Sequence, residues 1–312
     1  MPSSTSPPAA ATPVLDGFRA LAPWPGATPV FLACSGGADS TYLAWAWKCF
    51  AAELENPPAV TAVVIDHGQR PSSEGEAQQA ATALSELGFN VVVRSAELQT
   101  DASENEMRQA RYRELLKLAE VGGTSAVVLT AHHADDVAET VLLRIMRGTG
   151  LRGLAGIPVR RQLSPQVELC RPLLQLRRKR LRQDLQAAGI EWIEDPSNAD
   201  SQVAARNRLR HEVLPALATI ATGDPIAAVL RLTAEADEWQ QAQKELIQAN
   251  TDWCSLPTFL RQQAIAHELR VLGETVSPAR LCDLEGALLK HGTAGVDAIR
   301  NLVLRDHRLK VE

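Results

Sequence analysis

Short apolar segments alternate with helix-like segments along the first two thirds of the chain. The apolar segments are rich in β-branched residues and lie at 29–34, 60–66, 90–94 and 126–130. Each is followed by residues whose apolar positions repeat at helical spacing. Buried strands that alternate with helices form parallel βαβ units. The pattern therefore predicts an α/β fold with a doubly wound parallel sheet.

The last third of the chain shows helical patterns without intervening strands. Asp224 followed by Pro225 is typical of an N-cap with proline at the first helical position, and Ser277 followed by Pro278 repeats this signal. A small hairpin is predicted over 301–311. These elements indicate a second, smaller, mainly helical domain. The predicted division is a flexible N-terminal tail over 1–15, a catalytic domain over 16–215 and a C-terminal domain over 216–312.

Composition narrows the class of protein. The 312 residues are 45% hydrophobic and 22% charged, which is typical of folded globular proteins, and the length suits two domains. No apolar run approaches the ~18 residues of a membrane span, and the N-terminus lacks the basic and apolar blocks of a secretory signal. Five widely spaced cysteines without a C-x-x-C pair argue against a disulfide framework or a zinc ribbon. We therefore expect a cytoplasmic protein with no membrane partner.

Charge is segregated along the chain. The net charge is −5, yet the segment 144–182, called the basic segment below, contains eleven basic residues and one acid, a net charge of +10. A solvated helix face usually mixes both signs, so this bias favours a surface that binds a polyanion such as a nucleic acid. A merely solvated face is the alternative.

A glycine-containing turn follows the first predicted strand. Its residues are Ser35, Gly36, Gly37, Ala38, Asp39 and Ser40. Two glycines allow a tight turn that directs backbone N–H groups at one point, and the next helix adds partial positive charge, so the turn is predicted to bind phosphate. The chain has no Gly-Lys pair, which excludes a Walker A loop. The G-x-G-x-x-G string at 148–153 follows a helical segment instead of a strand, which argues against a Rossmann dinucleotide site.

Further motifs follow the later strands in a definite order. They are VIDHGQR at 64–70, EMRQARY at 106–112, AHHADDVAET at 131–140, RGTG at 147–150, RPLL at 171–174, DPSN at 195–198 and RNRLR at 206–210. The first motif, S-G-G-x-D-S, resembles the PP-loop of the N-type ATP pyrophosphatases, which split ATP between the α and β phosphates. The ordered set, over about residues 29–215, is similar to the tRNA(Ile)-lysidine synthetase family in its compact form. Gln69 stands where this family more often has Leu, and Ala131 where Thr is common.

The resemblance implies a carbon–nitrogen ligase that modifies tRNA in two steps. ATP would adenylate the C2 oxygen of the wobble cytidine in tRNA(Ile) with a CAU anticodon, and the ε-amine of free L-lysine would then displace AMP to give lysidine. ATP would be bound by residues 35–40 and by Asp66. Because both steps move negative charge on phosphates, we expect Mg²⁺, with Asp39 and Asp136 as its carboxylate ligands.

The same resemblance suggests roles for other residues. Asp136 and Glu139 share a helix face and are expected to hold the lysine ammonium and accept its proton, while Arg206 would contact the lysine carboxylate or a phosphate. His133 would donate to a phosphate or to the developing oxyanion, and Arg111 would stabilise charge at the α-phosphate. The structural alternatives are acids placed in a helix first turn and arginines on the surface.

The basic segment is expected to meet the tRNA. Bases of an anticodon loop are unpaired, so the cytidine can enter a pocket without duplex opening. The residues expected to grip the tRNA backbone are Arg152, Arg171, Arg177, Arg178, Lys179 and Arg180. The C-terminal domain is expected to contact the tRNA outside this loop.

Two other functions compete with this one. A PP-loop tRNA thiolase would use the same adenylation step but needs a sulfur carrier, commonly paired cysteines, and Cys34 and Cys170 are isolated in sequence. A non-catalytic nucleotide-binding module would need only the phosphate loop, and it would leave the acids and arginines after successive strands unexplained. The oligomeric state is open, and a homodimer is compatible with the sequence.

Overall fold

A six-stranded sheet lies at the centre of the first part of the chain. Its strands are β1 (Val30–Cys34), β2 (Val60–Asp66), β3 (Asn90–Ser95), β4 (Ala126–Leu129), β5 (Arg160–Ser164) and β6 (Val167–Cys170). They are arranged in the order β3-β2-β1-β4-β6-β5. All neighbouring pairs are parallel except β5 and β6, which are antiparallel. The predicted α/β fold with a doubly wound parallel sheet is confirmed, and an antiparallel edge strand that the sequence did not predict is added to it.

The structure is a computed structural model. It describes residues 12–24, 26–66, 68, 72–96, 98, 102–194, 205–249, 252–297, 300–305 and 308–312. Contacts divide the chain into two units, Met1–Thr233 and Ala234–Glu312. This division falls inside a long helix, so no linker marks it, whereas the predicted domain boundary lies between residues 215 and 216.

Nine helices lie within the described part of the first unit. They are α1 (Thr12–Arg19), α2 (Ala38–Ala51), α3 (Ser73–Glu86), α4 (Glu104–Glu120), α5 (Ala134–Met146), α6 (Leu151–Leu154), α7 (Arg178–Ala187), α8 (Ala205–Arg208) and α9 (Leu214–Ile220). A π-helical turn, Leu209–Val213, joins α8 to α9.

Both faces of the sheet are buried. In β1, Leu32 belongs to a core cluster that includes residues of α1, α2, α3 and α7, whereas its neighbour Phe31 packs on a second cluster that contains Leu115 of α4. Successive side chains of a strand point to opposite faces. Burial on both faces therefore explains why the strands read as continuous apolar runs.

The N-terminal helix corrects the predicted tail. Helix α1 begins at Thr12, inside the tail predicted over 1–15, and residues 1–11 lie outside the described residues. Leu15 and Phe18 are buried, and the Phe18 ring stacks on Phe50 of α2 with 5.2 Å between ring centroids. Burying such side chains stabilises the packed helix by roughly 1.5–3 kcal/mol each, which is why the chain is ordered here.

The strand order places two loops side by side. Strand β1 pairs with β2 on one side and with β4 on the other. Chain connections therefore leave β1 and β4 in opposite directions, and a crevice forms at the carboxyl ends of these two strands. The phosphate loop at 35–40 follows β1, and the motif at 131–140 follows β4. The motif residues His67, Gln69 and Arg70, and the DPSN motif at 195–198, lie outside the described residues.

The second unit is mainly helical, as predicted. Its elements are the end of α10 (Pro225–Ala249), a 3₁₀ turn (Trp253–Ser255), α11 (Thr258–Val271), α12 (Pro278–His291), β7 (Thr293–Gly295), β8 (Asn301–Arg305) and β9 (Arg308–Val311). Asp224 and Ser277 accept hydrogen bonds from the backbone N–H groups of Ile226 and Arg280, so both predicted N-caps are confirmed. Strands β8 and β9 form the predicted hairpin, and β7 adds a third antiparallel strand. Residues 306 and 307 between them lie outside the described residues.

Membrane-spanning potential is confined to one bent pair of helical segments. Within the described ranges, no single helix has the length and apolar character to cross a bilayer, and the segments 205–220 and 225–249 meet the length and composition criteria only when taken together.

Candidate active site

The phosphate loop requires glycine at its first turn. Gly36 has a φ of +79°, and a Cβ atom at this position would lie 2.8 Å from both the Ala80 Cβ and the Ile193 Cδ1. Real Cβ atoms are not found that close to other heavy atoms, and the backbone conformation itself is unfavourable for L-residues with side chains. The glycine therefore lets the loop pass close to α3 and to the chain beyond α7.

Hydrogen bonds hold the loop in place. Ser40 Oγ donates to the Gly37 carbonyl oxygen over 3.0 Å and accepts from the Ser35 N–H over 3.1 Å. The Gly36 carbonyl accepts from Ile193 N–H at 2.9 Å and from Thr41 Oγ1 at 3.2 Å. The side chains of these residues thus shape the loop and leave the N–H groups of the first turn of α2 to face the crevice, where Gly37 is the N-cap without a side-chain cap.

Asp66 ends β2 and shapes the next loop. Its Oδ1 accepts a hydrogen bond from the Gly68 N–H over 2.9 Å. This local contact accounts for the aspartate structurally, and its contact with ATP stays a prediction.

The start of α5 brings two predicted acids to one histidine. His133 is the N-cap, its backbone N–H donates to Asp136 Oδ2 over 3.0 Å, and its ring Nδ1 lies 3.4 Å from the Asp136 backbone nitrogen. His133 Nε2 also lies 3.5 Å from Asp39 Oδ2 and 3.6 Å from Asp136 Oδ2. The two candidate magnesium ligands therefore lie near the same ring nitrogen of a histidine that is 1% exposed, at the carboxyl ends of β1 and β4.

Electrostatics favour an ion pair between Asp39 and His133. Burial disfavours the charged carboxylate, but the hydrogen bond and charge of His133 and the charges of Arg178 and Arg210 outweigh it, so the pKa of Asp39 is lowered. Burial likewise disfavours the imidazolium, yet the hydrogen bond to Asp39 and the charges of Asp136, Asp39 and Asp135 raise the pKa of His133. The predicted donation from His133 to a phosphate is therefore revised, because its ring lies buried against carboxylates.

The site has donors suited to a magnesium ion. Asp39 Oδ1 is buried and has no hydrogen-bond partner among the described residues. Carboxylate oxygen is a preferred ligand of Mg²⁺, which usually binds through one or two carboxylates together with substrate phosphates and water. No group of three or more His, Cys, Asp or Glu able to hold a metal occurs within the described ranges. Asp39 and Asp136 thus fit a magnesium ion that enters with a nucleotide.

Glu139 is held by two arginines that sequence reasoning did not connect to it. Its side chain is 0% exposed, and its two oxygens accept from Arg210 Nε and Nη2 over 2.7 and 3.0 Å. Arg206 Nε lies 3.3 Å from Glu139 Oε2, and its Nη2 donates to Thr140 Oγ1 over 2.9 Å. Arg210 Nη2 is also 3.8 Å from Asp136 Oδ1. Glu139 and Arg206 therefore lie in contact, with the glutamate facing guanidinium groups, and their binding of lysine stays a prediction.

Asp135 links α5 to α7. Its Oδ2 accepts from the backbone N–H of Arg178 over 2.8 Å, and Arg177 Nε lies 3.3 Å from the same oxygen. Arg177 also pairs with Asp224, the N-cap of α10. No role was predicted for Asp135 from the sequence. The signal that could have indicated one is its position next to Asp136 in the first turn of α5.

Arg108 of α4 contacts the loop that follows β4. Arg108 Nη1 lies 3.4 Å from His132 Nε2, and His132 Nδ1 lies 2.9 Å from Thr130 Oγ1. Burial lowers the pKa of His132 to about 3, so the ring is neutral and accepts from the guanidinium at Nε2. Arg111 is exposed on α4, and its catalytic role stays a prediction.

The basic segment does not form one uniform surface. Its residues are spread over α5, α6, β5, β6 and α7, and among those predicted to bind tRNA only Arg152 and Lys179 are exposed. Arg171 is 2% exposed and donates from Nη1 to the Pro158 carbonyl over 2.6 Å, and burial lowers its pKa. A buried guanidinium cannot reach an RNA backbone, so the prediction for Arg171 is corrected. Arg180 pairs with Asp184 over 2.7 Å.

Known proteins resemble the chain in sequence and in fold. The chain is 37% identical over 244 residues to a tRNA(Ile)-lysidine synthase of Pseudomonas aeruginosa, which covers 78% of this chain and 54% of that protein. It is 42% identical over 226 residues to the tRNA(Ile)-lysidine synthase of Salinispora tropica, which covers 69% of this chain and 65% of that protein. The chain thus spans about half to just under two thirds of the length of these curated relatives.

A solved structure shares the fold at low sequence identity. The U34-tRNA thiolase of Methanococcus maripaludis superimposes with a TM-score of 0.58 and 14% identity, over 72% of this chain and 77% of that one. The sequence pattern of the PP-loop domain matches residues 16–217, which include the phosphate loop, the β4 loop and the arginines of α8 and the π-helical turn. By this match, and in agreement with the resemblance of its motifs, the chain belongs to the PP-loop domain family.

Proposed function

We propose that this protein is a carbon–nitrogen ligase that forms lysidine in tRNA. ATP adenylates the C2 oxygen of the wobble cytidine of tRNA(Ile) with a CAU anticodon, free L-lysine attacks that carbon, and AMP and pyrophosphate are released. ATP use is supported by the PP-loop family match, and the tRNA substrate by the two synthases to which the chain is similar. The reaction belongs in the cytoplasm, where its substrates are made.

One observation carries the proposal. Asp39 of the phosphate loop and Asp136 of the β4 loop lie within 3.5 and 3.6 Å of the same histidine nitrogen, His133 Nε2. A phosphate-binding loop alone would suffice for a module that only binds nucleotide. A second acid placed beside the phosphate loop supports chemistry on the α-phosphate and on a nearby amine.

The residues of the site have different roles in this reaction. Mg²⁺, when bound by Asp39 and Asp136 with the nucleotide, neutralises negative charge that develops on the phosphates. His133 holds both carboxylates in place. Asp136 accepts the His133 backbone N–H through Oδ2, and its Oδ1, which lies 3.8 Å from Arg210 Nη2, binds the lysine ammonium and takes its proton. Glu139, which was expected to share this role, sets the position of Arg206 and Arg210, and Arg206 contacts the lysine carboxylate or a phosphate from this position.

The cysteines support the ligase over a thiolase. Cys34 and Cys170 are buried, and burial raises the pKa of each thiol to about 12. A sulfur carrier needs an accessible thiolate, which these two residues do not offer. Cys254 and Cys282 are exposed, but both belong to the second unit.

Mass analysis of tRNA tests the proposal. Transcribed tRNA(Ile) with a CAU anticodon is incubated with the protein, ATP, Mg²⁺ and isotope-labelled lysine, and the wobble nucleoside is analysed by mass spectrometry. We expect labelled lysidine and stoichiometric AMP. Asp39→Asn and Asp136→Asn should each lower the rate by about a hundredfold or more, whereas the exposed Asp237→Asn serves as the matched control. Normal rates in both folded site variants, or modification without lysine, would refute the proposal.

A further inference from the structure

One arginine of the basic segment points to the phosphate loop instead of to the surface. Arg178 is the first residue of α7, and its Nε lies 3.9 Å from Asp39 Oδ1. That distance is too long for a hydrogen bond. Both atoms are buried, and neither has a hydrogen-bond partner within the described residues. A buried carboxylate oxygen and a buried guanidinium nitrogen thus form a loose ion pair in which neither atom has a hydrogen bond among the described residues.

Burying charged groups without hydrogen bonds is unfavourable. An unsatisfied buried polar atom costs about 1–3 kcal/mol, and more when it is charged. Such atoms in a folded protein call for a specific explanation, and a missing ligand is one. The pair of Arg178 and Asp39 lies beside the phosphate loop, where the PP-loop family match already leads us to expect a nucleotide.

The neighbours of Arg178 are paired differently. Arg177 is bound to Asp135 and Asp224, Arg180 to Asp184, and Arg182 to Glu194 over 2.9 Å. For Arg178, the ion pair with Asp39 at 3.9 Å is the closest contact with an acid that the described residues show for its guanidinium. The backbone N–H of Arg178 donates to Asp135 Oδ2 over 2.8 Å, and this bond fixes the backbone of residue 178 beside the site.

We propose that Arg178 belongs to the nucleotide site, where its guanidinium binds the diphosphate group of ATP and of the pyrophosphate product. This inference rests on the nucleotide-binding part of the proposed function. A magnesium–diphosphate complex beside the pair would carry a partner for each side chain: the metal suits the Asp39 carboxylate, and the phosphate oxygens suit the guanidinium fork of Arg178. Arg178 is thereby removed from the residues that we expected to grip tRNA.

Equilibrium binding without tRNA or lysine tests this assignment. Affinities are measured by calorimetry for Mg²⁺ with an ATP analogue that carries a methylene bridge between the α and β phosphates, and separately for Mg²⁺ with inorganic pyrophosphate. Arg178→Gln should weaken binding of the analogue about tenfold or more, since a hydrogen bond to a charged group contributes about that factor. Weakened binding of pyrophosphate as well supports the assignment to the β and γ phosphates, and an effect on the analogue with unchanged pyrophosphate affinity overturns it.

Two further variants separate direct contact from charge compensation. If Arg178 only neutralised Asp39, Arg178→Gln would have no effect in an Asp39→Asn background, whereas direct phosphate contact predicts a similar loss in both backgrounds. Arg178→Lys, which keeps the charge and loses the fork, should retain part of the affinity. Arg231→Gln removes one charge from an exposed position of α10 and should leave nucleotide affinity unchanged.

The outcomes are decisive for the assignment. Folding of each variant is checked by thermal unfolding, and every variant keeps the backbone contact between residue 178 and Asp135. Unchanged nucleotide affinity in folded Arg178→Gln and Arg178→Lys, or an effect that disappears in the Asp39→Asn background, overturns the proposal. Because lysine and tRNA are absent from this assay, a failure to form lysidine would refute the proposed function and leave this result intact.

Discussion

Arg210 and Glu139 form a two-point ion pair beneath the candidate active site, with Nε–Oε1 and Nη2–Oε2 distances of 2.7 and 3.0 Å. The glutamate is on α5 and fully buried, and the arginine is on the π-helical turn before α9. The pair therefore ties the acid-bearing helix to the segment that carries Arg206. A π-helical turn often marks a functional position, and here the turn carries the Arg210 guanidinium that binds Glu139.

Removing Arg210 should destabilise the protein strongly. Arg210→Gln leaves the Glu139 charge buried without its main partner, and we expect the free energy of unfolding to fall by about 3–5 kcal/mol in urea titrations at neutral pH. The double variant Arg210→Gln with Glu139→Gln should recover part of this loss, because the fully buried carboxylate charge is no longer present. Arg231→Gln, an exposed arginine of α10, is the control. An equal loss in the single and double variants would contradict this account.

Gly36 should not tolerate a methyl group. Gly36→Ala combines a positive φ with a Cβ clash against Ala80 and Ile193, so we expect a loss of unfolding free energy of about 1–3 kcal/mol and weaker ATP binding. Gly123 also has a positive φ, +61°, but a Cβ there would meet nothing within 4 Å. Comparison with Gly123→Ala thus separates the clash from the backbone strain. Equal effects of the two substitutions on stability would show that the clash is relieved.

The His133–Asp39 pair should make stability depend on pH. The lowered pKa of Asp39 means that its contribution is present above the ordinary value of 3.8 and is lost as pH falls through the folded pKa. The raised pKa of His133 means that its contribution is complete below 6.5 and is lost as pH rises through the folded pKa.

The free energy of unfolding is measured by urea titration for the wild type and for His133→Asn, in the presence of EDTA. The titrations run from about pH 4, close to the ordinary pKa of an aspartate, to about pH 9, well above that of a histidine. The difference in unfolding free energy should be largest between the two ordinary values and should decrease toward alkaline pH. Loss of packing alone would give a difference that does not vary with pH, and that result would exclude the ion pair.

The exposed part of the basic segment should govern tRNA affinity. Arg152→Ala and Lys179→Ala should each weaken binding of tRNA in filter assays and lower the slope of log K against log salt by about one. Lys117→Ala on α4, whose exposed ammonium pairs with Glu114, controls for a general loss of charge. An unchanged salt slope in the Arg152 and Lys179 variants would place the tRNA on another surface.

Much of the first unit could be predicted because the signals are local. The apolar runs at 60–66 and 126–130 became strands β2 and β4 within one residue, since strand burial is written in adjacent positions. The N-caps at Asp224 and Ser277 depend on contacts two or three residues away. Strand β5 was missed because it carries Arg160 and Arg161 on the exposed sheet edge, and β6 because its apolar run is only four residues long and contains Glu168.

The sequence by itself determined which motifs follow which strands, the phosphate loop with its required glycine, and the PP-loop family. Each of these depends on residues close together along the chain. Only the tertiary structure decided which arginine serves which acid. Glu139 and Arg210 are 71 positions apart, and Arg178 meets Asp39 through the packing of α7 against the β1 and β4 loops. A long guanidinium side chain can adopt many conformations, so its partner is chosen by the packed elements around it and not by its neighbours in sequence. That is why Arg171, identical in kind to Arg178, became a buried structural residue.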